Sequence, residues 1–122
     1  MNPLRTRHPA LRLRTSWPAP HEVLVTVRGD LDGATAPHLA ALLDDRLRAR
    51  PERLDVDLSE VDFLGVAGVL VLTRVALQAG QTGTDLRVVT GTNRAVRRAL
   101  SVTGADRRIP LSGGRCPEPA PA

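Results

Sequence analysis

Residues 54–72 read LDVDLSEVDFLGVAGVLVL. The hydrophobic period changes inside this stretch. Leu54, Val56 and Leu58 alternate with Asp55, Asp57 and Ser59, the spacing of a strand with one face turned inward. After EVDFLG the run Val66–Leu72 is apolar nearly all round. It predicts a helix over Val66–Ala79 that stops at Gly80, since glycine is the usual helix terminator. A strand that feeds a helix directly is half of a βαβ unit, so the stretch points to an α/β sheet with parallel neighbours. Phe63 is expected in the core. Asp55 and Asp57, two residues apart on one strand, are expected on a solvated face and not as an acid–base pair.

The flanking segments repeat the alternation. Leu11, Leu13 and Thr15 alternate with Arg12, Arg14 and Ser16 until Pro18 and Pro20, which are expected to stop that strand. In His21–Gly29, Val23, Val25 and Val27 alternate with Leu24, Thr26 and Arg28, giving the second strand of a hairpin. GDLDGATAP follows, with Thr35 before Ala36 and Pro37 marking a helix start. Leu39, Leu42, Leu43 and Leu47 then recur at helical spacing until Pro51. Asp85–Thr90 is a further short strand, Thr92 or Asn93 caps a third helix from Arg94 to about Thr103, and Gly104 closes it. That helix is expected to turn Val96, Ala99, Leu100 and Thr103 inward and Arg94, Arg97 and Arg98 to solvent. Arg108–Leu111 is expected to be a last edge strand. The order β-β-α-β-α-β-α-β predicts one α/β domain over residues 11–111, a mixed, mostly parallel sheet with helices packed on it. Residues 1–10 are expected to be a flexible leader, and 112–122 a disordered Gly/Pro-rich tail.

Composition removes several classes of function. A chain of 122 residues is the size of one domain with one core. Its single cysteine, Cys116, permits no internal disulfide and suits a reducing, cytoplasmic compartment. All 17 basic residues are arginine, but they are scattered, and the net charge of +4 comes without the aromatic platforms that single-stranded nucleic acid requires. No nucleic-acid role is expected. The apolar stretch Val66–Leu72 is far too short for a bilayer, and MNPLRTRHPALRLR has no apolar centre of a signal peptide, so no membrane role is expected. With no lysine and no closely spaced glycines before a helix, a phosphate-binding loop is absent. His8, His21 and His38 have no ligand partners at metal spacing, and Ser16, Ser59, Ser101 and Ser112 have no nucleophile context. No metal, cofactor or enzymatic activity is expected.

Three stretches in register carry a resemblance: VRGDLDGATAPHL (27–39), LDVDLSEVDFLGVAGVLVL (54–72) and LRVVTGTNRAVRRALSVTGADRRIPL (86–111). Together they resemble the STAS domain of bacterial anti-sigma factor antagonists, over about Leu11 to Leu111. The resemblance implies a transcription regulator that works by protein–protein contact. Its partner would be an anti-sigma factor of the serine-kinase, ATPase-fold type, which phosphorylates a serine at the start of the second helix to switch the antagonist off. It also implies partner contacts from Asp30, Asp32, Gly65, Val66, Ala67, Gly68 and Val69, and it fits both a monomer and a homodimer.

The chain departs from the family at the switch. Gly65 stands where the family has Asp, Val66 where it has a first Ser, and Ala67 at the position of the phosphorylated Ser, while Gly68 matches. Alanine carries no hydroxyl, so phosphorylation there is chemically impossible. Three readings follow: a constitutive antagonist that is never switched off; a diverged STAS module for another regulatory protein or a small ligand; or a decayed switch whose substitutions only adjust helix packing. Within the site, Asp30 and Asp32 are expected to build the turn more than to touch a partner. Val66 and Val69 are expected to be half-buried against the neighbouring strand.

Overall fold

Local patterning builds most of the architecture. The computed structural model describes residues 11–112, in which β1 (Leu11–Ala19), β2 (Glu22–Leu31), α1 (Ala36–Arg48), β3 (Arg53–Leu64), α2 (Val66–Thr82), β4 (Asp85–Val89), α3 (Arg94–Val102) and β5 (Leu111–Ser112) follow in order. The expected leader and all of the expected tail beyond Ser112, with Cys116, lie outside the described residues. The strands form one five-stranded sheet in the order β1-β2-β3-β4-β5, with β1 antiparallel to β2 and every other neighbouring pair parallel. The mixed, mostly parallel sheet is the one the sequence predicts.

Because the strand order never reverses, right-handed crossovers carry all three helices to one face. The buried residues agree. Val23, Val25, Val27, Leu54, Val56, Leu58, Leu86 and Val88 share a core with Leu39, Leu43 and Leu47 of α1, Val69, Leu72, Val75 and Ala79 of α2, and Val96 and Leu100 of α3. Each such side chain contributes about 1.5–3 kcal/mol on leaving water. Leu24 and Val89 are buried too, but stand outside this cluster because alternation points them to the other face.

Several boundaries differ from expectation, each for a physical reason. β1 continues through Pro18 to Ala19, since an edge strand loses no ladder bond to proline, and its pairing with β2 shifts between Ser16 and Ala19. α2 passes Gly80 and ends at Gly83, whose φ of 82° is the left-handed conformation that terminates a helix. Thr103 is exposed and caps α3 instead of joining its inward stripe. The edge strand starts only at Leu111, because Ala105–Arg107 form a 3₁₀ turn and Ile109 N–H donates to the Ala105 carbonyl at 3.0 Å, tucking Ile109 into the core. Ser112, expected to open the tail, belongs to β5 and accepts from Thr90 N–H at 2.9 Å.

Asp55 overturns the expectation of a solvated face. It is only 2% exposed, on a central strand between Leu24 of β2 and Arg87 of β4, and Arg87 Nε donates to its Oδ1 at 3.3 Å. Burial pushes its carboxyl above the ordinary range, and the Arg87 guanidinium pulls part of the way back.

Candidate functional site

The site lies where β2 and β3 end and α1 and α2 begin. β3 gains two residues on β2 along this stretch: Thr26 pairs with Asp57, Arg28 with Glu60, Gly29 with Val61 and Asp30 with Phe63. Each extra residue reverses which face the following side chains take. Leu58, Val61 and Leu64 therefore all turn inward at a spacing of three, and Phe63 is thrown outward. Phe63 is 53% exposed, which corrects the expectation of a core residue. A signal for this was present, since apolar residues recurring every third position do not fit a flat strand.

The turn after β2 is held by its own side chains. Asp32 Oδ1 accepts from Ala34 N–H at 2.9 Å and Thr35 N–H at 3.0 Å. The Thr35 hydroxyl donates to the Asp30 carbonyl at 2.6 Å and accepts from Asp32 N–H at 2.9 Å. These bonds, the Thr35 amide first among them, hold the Asp32 carboxyl below its usual range. Asp32 thus builds the turn, as expected, and Thr35 ties it to the end of β2. The Asp30 carboxylate makes no hydrogen bond or ion pair among the described residues.

The neighbouring α2 starts at Gly65, whose N–H donates to the Leu31 carbonyl at 2.8 Å and locks the two loops together. No side chain caps α2, and its first turn holds no acidic residue, so its positive end is uncompensated there. Gly68 and Val69 are buried and face inward; of the expected contact residues they offer a partner no side-chain surface. Val66 is 67% exposed, against the expectation that it is half-buried. Ala67 is partly exposed in the first turn. The arrangement is an apolar pair, Phe63 and Val66, beside an uncapped helix start and a free Asp30.

A second support was not foreseen. Asn93, predicted only as a helix cap, does accept from Val96 N–H at 3.1 Å. Its amide also donates to the carbonyls of Leu58, Ser59 and Val61 at 3.3, 3.1 and 2.8 Å, holding the irregular part of β3 that carries Phe63.

A mixed, mostly parallel five-stranded sheet with three helices packed against it is the class of α/β domain these elements define. The family model described as "Mlab, STAS domain" matches residues 18–112. An anti-sigma-F factor antagonist of Mycobacterium tuberculosis, RsfA, is 32% identical over 91 residues, covering 73% of this chain and 70% of its own. A crystal structure of an anti-sigma factor antagonist from Mycobacterium paratuberculosis is 31% identical, covers 83% of this chain and 84% of its own, and superposes with a TM-score of 0.75. The Bacillus cell fate determinant SpoIIAA in its phosphorylated form shares the fold at 10% identity, with 83% and 91% coverage and a TM-score of 0.64. The chain belongs to the STAS domain family of anti-sigma factor antagonists. It is a non-catalytic regulatory domain that acts by binding protein.

Proposed function

We propose that this protein is a constitutive anti-sigma factor antagonist, acting in the bacterial cytoplasm on an anti-sigma factor of the serine-kinase, ATPase-fold type. The observation that carries the reading is the exposed pair Phe63 and Val66 beside Asp30 and the α2 start, in a chain 32% identical to an anti-sigma-F factor antagonist. The apolar pair supplies area to bury, and Asp30 and the helix end supply orientation. Gly65 and Ala67 border the same patch through backbone and methyl group.

Switching needs a hydroxyl. A phosphate on a side chain in the first turn of α2 would rest at the positive helix end while bringing close to two negative charges into the interface. Ala67 forbids that step. Mixed with the cognate kinase-type anti-sigma factor and ATP, the chain should keep its intact mass and stay bound. A gain of one phosphate, or release by ATP, rejects the constitutive reading. Phe63→Asp should abolish the complex with the fold intact, because Phe63 is outside the core. Ala67→Ser tests whether the remaining surface is still a kinase substrate: ATP-sensitive binding says that it is.

A second reading is favoured by one observation: Gly65, Val66 and Ala67 together replace the polar residues of the family pattern with small or apolar ones. In this reading the module binds a different regulatory protein. Affinity capture would then recover no ATPase-fold partner, and Phe63→Asp would release whichever protein is captured.

A further inference from the structure

The outer flank of α2 carries a second feature that the helix start does not explain. Val69, Leu72, Val75 and Ala79 face the core, yet Leu70 and Leu77 stand 63% and 66% exposed. They are seven residues apart, two turns and about 10 Å along the helix. Thr73, Ala76 and Gly80 form the low ground beside them, and Arg108 completes a mainly apolar groove of about 610 Å³. A neighbouring hollow shares Leu70, Thr73 and Arg108 and adds Arg107 from the turn after α3.

The charges around this groove select its occupant. Arg74 is committed to Asp44, with Nη1 to Oδ1 at 3.0 Å. Arg107 and Arg108 are exposed and make no ion pair among the described residues. An apolar trough bordered by free guanidinium groups complements a helix with an apolar stripe and carboxylates along its edge. A second copy of the chain fits poorly, because in a two-fold dimer this patch meets itself, and its lining holds no carboxylate to meet Arg107 and Arg108.

We propose that Leu70, Ala76 and Leu77, with Arg107 and Arg108, dock an acidic amphipathic helix of a partner protein, seating two apolar residues one heptad apart. Leu77 is eleven residues, about 16 Å along α2, from Val66. The docking site therefore extends well away from the helix start, and it stands whether or not the anti-sigma reading does.

The test uses the full chain and a dye-labelled synthetic helix of about 14 residues, with leucines seven apart and glutamates beside them, and a twin carrying lysines for the glutamates. Fluorescence anisotropy should show the glutamate peptide bound and the lysine twin roughly ten-fold or more weaker. Leu77→Asp should weaken the glutamate peptide by about the same factor, and Arg107→Glu with Arg108→Glu should exchange the preference between peptides. These side chains are exposed, so the variants should melt like the parent; if Leu77→Asp does not fold, Leu77→Ser takes its place. The proposal is overturned if neither peptide binds, if both bind equally, or if folded Leu77→Asp binds unchanged. A chain dimer in sedimentation that Leu77→Asp dissolves overturns it as well.

Discussion

At Gly68 the start of α2 leaves almost no room for a side chain: a Cβ there would lie 2.8 Å from Leu64 Cδ1 and 3.0 Å from Leu31 Cβ. The Leu64 methyl can turn aside, but Leu31 Cβ is tied to its backbone. Gly68→Ala gains helix propensity of about 1 kcal/mol and meets an overpacking cost of about 1–3 kcal/mol. A net loss of about 1 kcal/mol is expected, read as a lower urea midpoint. The two perturbed carboxylates act in opposite senses with pH. Asp32 titrates lower in the folded chain than in the unfolded one, so what it contributes is present above about pH 4 and lost as pH falls through its folded value. Asp55 titrates higher when folded, so its charge opposes folding at neutral pH, and that opposition is relieved as pH falls through the raised value. Asp55→Asn should be neutral to stabilising at about pH 7, with the difference from the parent shrinking toward pH 4. Urea midpoints across that interval check both the sign and the trend.

At the scale of elements, the end of β3 depends on α3. Three β3 carbonyls take their hydrogen bonds from one amide group, that of Asn93. Asn93→Ala removes a helix cap and leaves those carbonyls short of a donor, a loss of about 2–3 kcal/mol. Asn93→Asp retains the cap but turns a carboxylate oxygen toward the carbonyls, so it should be no better than alanine. Thermal melts of the two variants compare the terms, and loss of partner binding in excess of the loss of stability would show that Asn93 also positions Phe63. Most of the elements themselves were legible: the period-two strands, the Leu39–Leu47 stripe and the Pro37 start are local signals. The end of α2 was not, since Gly80 and Gly83 are both plausible stops and only the left-handed backbone at Gly83 decides between them.

For the whole molecule, the sheet is protected unevenly. β3 has neighbours on both sides along the span it shares with β2 and β4, while β1 is an edge strand with an irregular pairing and β5 is two residues long. Edges of this kind resist strand addition and also open first. Native-state hydrogen exchange should therefore be slowest along β3, at Val56, and fast by orders of magnitude at Leu111 and Leu11. Equal protection at the edges and the centre would contradict this layout.

The amino-acid sequence by itself determined the strand and helix order, the mixed, mostly parallel sheet, the family and the absence of a hydroxyl at position 67. These rest on period, punctuation and side-chain chemistry, which are properties of neighbours along the chain. The tertiary structure decided which way the irregular end of β3 turns Phe63, and it alone decided that Asp55 is buried against Arg87 and that Asn93 holds β3. Each depends on register between strands or on groups more than thirty residues apart. A bulge changes which face a residue takes without changing the residue, and burial is set by what packs across the sheet.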